Sequence, residues 1–109
     1  VSYKANEFSV GEKQEFTVTT VANDDEGKMI RAHFEIPANI SVEYYEVNDG
    51  QWYALGNVYG PETGFPVADA TSKFRAVACV AGTCTVKVTF KEVGTDKVLA
   101  EKESWRRIN

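Results

Sequence analysis

Two cysteines form the pattern in this sequence that most directly suggests chemistry. Cys79 and Cys84 flank the four residues VAGT, so the motif reads C-x4-C. If the segments on either side form neighbouring strands, the two Cα atoms can come within the ~4.4–6.8 Å that a disulfide requires. We therefore expect a Cys79–Cys84 disulfide, with two buried free thiols or a redox switch as the alternatives. Closing so small a loop would stabilise the fold by only about 2 kcal/mol.

The other reactive side chains do not form a recognisable active site. His33 is the only histidine, and it alternates with Arg31 and Glu35 in the segment MIRAHFEIP. A structural zinc site usually needs four ligands, and a catalytic triad needs a nucleophile beside its base. The serines lie outside any G-x-S-x-G elbow. We therefore expect no enzymatic activity, no metal ion and no cofactor.

Acidic residues offer a further kind of ligand set, but they are spread thinly. The run NDDEG, residues 23–27, could give carboxylates to Ca²⁺. Calcium takes six to eight oxygen ligands, more than so short a run supplies alone. The ordinary interpretation of a short charged run is a solvated turn, and we expect that here.

The overall charge and hydropathy limit the classes of partner. The chain has 109 residues and a formal net charge of −4. Nucleic-acid binding requires a basic face that can meet the phosphates. No apolar run approaches the ~20 residues that span a bilayer. We therefore expect neither a nucleic-acid partner nor membrane insertion.

The segment YYEVNDGQWYALG, residues 44–56, is the candidate binding surface because it holds four aromatic residues around an Asn-Asp-Gly turn. Aromatic side chains on an exposed sheet face can stack on sugar rings or insert into a partner's surface. The candidate ligand-binding residues are Tyr45, Trp52 and Tyr53. The more ordinary interpretation, which we favour, is that these aromatics stabilise the hairpin and the core.

The register of this hairpin decides which aromatics face outward. Tyr44 continues the inward set of its strand, so Tyr45 should be exposed. A three-residue loop would place Tyr53 opposite Tyr45. A four-residue loop would instead place Trp52 on the outside, opposite Val47. Either way, the hairpin should expose Tyr45 and one other aromatic.

Period-two alternation predicts the strands that position all of these residues. Turn signals separate the alternating segments, and no stretch of helical length has a 3.6-residue period. Seven or so short strands in one chain predict a single all-β domain over residues 1–109, an antiparallel immunoglobulin-like β-sandwich of Greek-key type. The predicted inward sets are Phe16, Val18, Thr20 and Ala22; Ile30, Ala32, Phe34 and Ile36; Ile40, Val42 and Tyr44; Phe74, Ala76 and Ala78; and Cys84, Val86, Val88 and Phe90.

Residues 59–103, YGPETGFPVADATSKFRAVACVAGTCTVKVTFKEVGTDKVLAEKE, carry a family resemblance. A GPxxGFP loop, the segment DATSKFR, an AGT turn, a strand and GTDKVLA follow one another in order. In this order they resemble the tandem immunoglobulin-like repeats of bacterial cell-surface and secreted proteins. The chain departs from the pattern at Cys84, where such repeats usually have Tyr, and in the tail ESWRRIN.

The resemblance implies a class of role and carries no shared catalytic residues. It implies a non-catalytic structural or adhesive module, a spacer or protein-interaction domain excised from a larger extracellular protein that is secreted or attached to the cell surface. Neighbouring repeat domains, a host or cell-surface protein, or a glycan would be its partners. One alternative is a carbohydrate-binding module that uses the exposed aromatics of residues 44–56. The other is an inert accessory domain of a secreted hydrolase.

Overall fold

All regular secondary structure in the described part of the chain is β-strand. The computed structural model describes residues 7–21 and 24–109. Within these residues no helix is long and apolar enough to cross a membrane. The predicted all-β class is confirmed. The described strands are β1 (Glu7–Phe8), β2 (Lys13–Thr20), β3 (Met29–Glu35), β4 (Ile40–Glu46), β5 (Gln51–Ala54), β6 (Val58–Tyr59), β7 (Phe65–Pro66), β8 (Ala70–Ala78), β9 (Gly82–Glu92) and β10 (Val98–Ile108).

These strands form two sheets that pack against each other. The six-stranded sheet has the order β1-β10-β9-β3-β6, with β7 also pairing with β3. The four-stranded sheet has the order β2-β8-β4-β5. The pairing of β1 with β10 is parallel, whereas the other pairings are antiparallel. The arrangement is that of a β-sandwich, with a hydrophobic core between the inner faces of the two sheets.

The core follows the alternation of the sequence. Phe74 is its centre: it is only 1% exposed and its ring lies 5.6 Å from that of Phe16 and 5.2 Å from that of Phe34. Burying one such side chain contributes roughly 1.5–3 kcal/mol. The predicted inward sets are buried or packed against the core, except Thr20, which is half-buried, and Ala22, which lies outside the described residues. The buried cluster consists of Phe8, Ala32, Phe34, Ile40, Val42, Phe74, Ala76, Ala78, Cys84, Val86, Val88 and Ile108.

The predicted disulfide is wrong, because both cysteines are free, and the segment between them connects the two sheets. Strand β8 belongs to the four-stranded sheet and β9 to the six-stranded sheet, so the two do not form a hairpin. Both cysteines are free: Cys79 is exposed and Cys84 is buried in the core. The Cys79 Sγ donates to the Val77 carbonyl at 3.5 Å. Burial raises the pKa of the Cys84 thiol.

The last strand, β10, contains a charged residue that is buried in the sandwich. Strand β10 extends to Ile108 and pairs with β9 along its length, with an irregularity between Val98 and Ala100. Arg106 is only 5% exposed. Its Nη1 donates to Gln14 Oε1 at 2.5 Å, and its guanidinium lies 4.7 Å from the centroid of the Phe16 ring. Strand β10 thus contributes a buried cation to the sandwich from the tail ESWRRIN.

Candidate functional site

The β4–β5 hairpin has the four-residue turn of one predicted alternative, but Trp52 lies opposite Tyr45 and not opposite Val47. Glu46 pairs with Gln51, so residues 47–50 form the turn, and Tyr45 lies directly opposite Trp52. The Gly50 amide donates to the Glu46 carbonyl at 2.8 Å. Gly50 has a φ of 69°, in the left-handed region that glycine adopts without a steric penalty. The turn chemistry therefore fixes which aromatics share a face.

The two sides of this hairpin carry different aromatic pairs. Tyr45 and Trp52 lie on the outer face of the four-stranded sheet, because residues directly opposite each other share a face. Tyr44 and Tyr53 are also directly opposite and lie on the inner side. Tyr53 is 42% exposed, and its hydroxyl donates to the Asp49 carboxylate. The structure thus brings together two of the three predicted ligand-binding residues, and it places Tyr53 on the other side.

Two cations lie over the outer aromatic pair. The ring centroids of Tyr45 and Trp52 are 5.1 Å apart at an interplanar angle of 60°. The Lys73 Nζ lies 4.8 Å from the Tyr45 centroid, and the Arg75 guanidinium carbon lies 4.3 Å from the Trp52 centroid. Each such contact contributes about 0.5–1 kcal/mol at an exposed site. We call Tyr45, Trp52, Lys73 and Arg75 the outer cluster.

The pairing of β4 with β8 explains why these cations reach the rings. Glu43 lies opposite Arg75, and Tyr44 lies opposite Phe74. Because Phe74 points into the core, its neighbours on β8 must point outward. Lys73 therefore lies next to Tyr45 on the outer face. The sequence showed the alternation of this strand, but not which strand would lie beside it.

Carboxylates hold the cations of the outer cluster in place. Arg75 Nε donates to Glu43 Oε1 at 2.5 Å, and these two side chains are 21% and 25% exposed. Lys13 Nζ lies 3.9 Å from the same oxygen. Lys73 Nζ lies 3.7 Å from Glu15 Oε1, a pair that is far more exposed. Exposed ion pairs contribute little, so the Arg75–Glu43 pair is the one that orients the cluster.

A cavity opens beside the outer cluster, where two strands separate. The β4–β8 pairing ends at Tyr44 and Phe74, although β4 continues to Glu46 and β8 begins at Ala70. We call the resulting cavity of about 420 Å³ the notch. Hydroxyl, ammonium, carboxylate and aromatic groups are all present in it. Its lining consists of Thr17, Tyr45, Glu46, Val47, Tyr59, Thr71, Ser72 and Lys73.

The described part of the acidic run forms a turn, and Asn23 lies outside the described residues. Residues 24–27 are in turn conformation, and Asp25 Oδ1 lies 2.7 Å from Lys28 Nζ. Over residues 7–21 and 24–109, no three His, Cys, Asp or Glu side chains form a group that could hold a metal ion.

Comparison of the sequence with protein-family models gives no match, and comparison with curated proteins gives no significant match. The resemblance of residues 59–103 to bacterial surface repeats therefore rests on their own motifs.

Proposed function

We propose that this chain is a non-catalytic interaction module with an immunoglobulin-like Greek-key fold, part of a bacterial surface or secreted protein. It acts as a spacer or adhesive domain and meets its partner protein through the outer cluster. The observation that carries this proposal is the contact of a Trp, a Tyr and an Arg side chain on one outer sheet face. Trp, Tyr and Arg are the residue types that most often dominate protein interfaces.

The strand order supports the immunoglobulin-like part of the proposal. An immunoglobulin constant-type domain has strands A, B, E and D in one sheet and C, F and G in the other. The order β2-β8-β4 corresponds to B-E-D, and the order β3-β9-β10 corresponds to C-F-G. In this chain, as in the immunoglobulin domain, the chain crosses from one sheet to the other between strands B and C, which correspond to β2 and β3.

The direction of the chain supports a spacer role. Strand β1 runs parallel to β10, with Glu7 beside Arg107 and Phe8 beside Ile108. The chain therefore passes through its first and last described strands in the same direction. A module of this kind can follow another in a row without a reversal of the chain.

A comparison of two tryptophan variants tests the role of the outer cluster. Trp52 belongs to the cluster, whereas Trp105 is 40% exposed on the six-stranded sheet. The full chain, Trp52→Ala and Trp105→Ala would be applied to an array of immobilised extracellular proteins and glycans. We expect the full chain to bind a protein on the array. Trp52→Ala should weaken this binding by about thirtyfold, corresponding to ~2 kcal/mol, whereas Trp105→Ala should bind as the full chain does. Equal binding by the full chain and Trp52→Ala would contradict the proposal.

Carbohydrate binding is the second candidate function, and the notch favours it. Glycan sites combine an aromatic ring with polar groups that fix orientation, and Tyr45 in the notch lies close to Thr71, Ser72 and Glu46. Lys73 lies over the Tyr45 ring, and a sugar that binds in the notch would contact the ring from another side. On the same array, this function predicts glycan binding that Tyr45→Ala abolishes. Glycan binding that survives Tyr45→Ala would contradict it.

A further inference from the structure

The outer face of the six-stranded sheet carries two cations directly opposite each other. In the β3–β9 register, Arg31 pairs with Lys91. Residues opposite each other on antiparallel strands have Cβ atoms about 4.5–5.5 Å apart, and like charges in these positions repel. Two strands that place cations in this way lose stability unless an anion lies between or beside them.

A neighbouring pair on the same two strands shows the usual arrangement. Glu35 lies opposite Lys87, and Lys87 Nζ is 3.5 Å from Glu101 on β10. The ion pairs of the described residues include Lys87, but neither Arg31 nor Lys91. The two lysines of β9 thus lie on the same sheet face. Lys87 has an ion-pair partner, whereas Lys91 has none in the described part of the chain.

Arg31 also has hydrogen-bonding capacity that the fold does not use. Its Nη2 donates to the Gly60 carbonyl at 3.3 Å. Its Nε is buried and has no hydrogen-bond partner among the described residues. A buried donor without an acceptor costs free energy. A guanidinium presents a planar fork that matches a carboxylate or a phosphate group.

His33 follows Arg31 on the same face, and the positive charges of Arg31 and Lys91 act on its pKa. Partial burial lowers the pKa of His33 below its ordinary value, and the charges of Lys91 and Arg31 lower it further. Asp96, in the connection between β9 and β10, acts in the opposite direction. The charges that act on His33 are therefore mainly positive, although the chain as a whole has a net charge of −4.

We propose that Arg31 and Lys91, with His33 beside them, form a binding site for an oxyanion, a carboxylate or a phosphate group. The guanidinium and the ammonium donate to the oxygens of the anion, which removes the repulsion between the two strands. This site lies on the opposite sheet from the outer cluster and does not depend on it.

Anion titrations of the full chain test the proposal. Inorganic phosphate and acetate would be added separately at constant ionic strength, with chloride as the balancing anion. Amide NMR signals of Arg31, His33 and Lys91 should shift saturably, and the melting temperature should rise. Lys91→Gln should weaken the affinity by about tenfold, the effect of losing one charge-assisted hydrogen bond. Lys87→Gln, on the same strand and face, should leave the affinity unchanged.

The two titrations identify the anion, and the variants decide whether the site exists. Saturation by phosphate alone, by acetate alone or by both supports the proposal and tells the phosphate source from the carboxylate source. Lys91→Gln removes a repulsion, so it should fold at least as well as the parent chain. Shifts that do not saturate, that spread over the whole surface, or that have the same affinity in Lys91→Gln would overturn the proposal.

Discussion

Tyr44 and Tyr45 are adjacent in the sequence and both half-buried, yet they have entirely different neighbours. The Tyr44 ring lies 5.8 Å from that of Tyr53 and 5.7 Å from that of Tyr59, and it packs against the hydrophobic core. The Tyr45 ring contacts Trp52 and a lysine on the outer face. Tyr44 and Tyr45 are therefore similarly buried but have different roles. The inner side of the hairpin packs against the core, whereas the outer side carries the aromatic rings and cations that we propose as the binding surface.

The largest effect that separates these two sides should come from truncating the tyrosines. Tyr44→Ala should lower the free energy of unfolding by about 2–3 kcal/mol, less than a fully buried aromatic would because Tyr44 is half-buried. Tyr45→Ala should lower it by about 1 kcal/mol at most, the size of a cross-strand pair. Denaturant unfolding of both variants measures the difference. Equal losses, or a larger loss in Tyr45→Ala, would show that the outer side is also part of the stabilising core.

The contact between Arg75 and Trp52 should give a smaller, measurable coupling. A double-mutant cycle with Arg75→Gln and Trp52→Leu should give about 0.5–1 kcal/mol, because the guanidinium lies over the indole ring. A double-mutant cycle on Lys73 and Tyr45 is the matched comparison. It should give a smaller coupling energy, since the Lys73 ammonium is more exposed and more strongly hydrated than the Arg75 guanidinium. Additive effects at Arg75 and Trp52 would mean that this cation does not hold the outer aromatic pair in place.

The strands and their inner faces could be predicted from the sequence because alternation is a local signal. Residues such as Phe34, Val42 and Val86 have a polar residue on either side in the sequence, and a half-buried strand imposes that alternation. Phe74 at the centre of the core belongs to one of these sets. Arg106 does not follow the pattern, because Gln14 and Phe16 reach it from a strand at the other end of the chain.

The candidate site could be predicted only in part, because it depends on which strands are neighbours. Tyr45 and Trp52 lie close together in the sequence, so a hairpin search finds them. Lys73 and Arg75 join them through the β4–β8 pairing, which no local pattern contains. The same limit applies to the predicted disulfide, because the C-x4-C spacing does not show that Cys79 and Cys84 lie on either side of a change of sheet.

The smallest predicted change in stability comes from the hydrogen bond between Tyr53 and Asp49 on the inner side of the hairpin. This hydrogen bond, followed by desolvation and the negative charge of Asp49, raises the pKa of Tyr53 above its ordinary value of 10.0. Because the folded pKa is above the unfolded one, the stabilisation is fully present below pH 10 and is lost as the pH rises through the folded pKa. The stability change should be small, since the hydroxyl is exposed.

Replacing the acceptor tests this assignment directly. Asp49→Asn removes the carboxylate, so the pKa of Tyr53 should fall towards that of an ordinary tyrosine. NMR titration of the tyrosine ring carbons measures this pKa, and Tyr53→Phe identifies the signal by removing it. The outer rings of Tyr45 and Trp52 should keep their chemical shifts in Asp49→Asn, because they lie on the other face of the hairpin. If their signals moved as much as those of Tyr53, the turn would couple the two sides, and the division of the hairpin into a stabilising side and a binding side would be wrong.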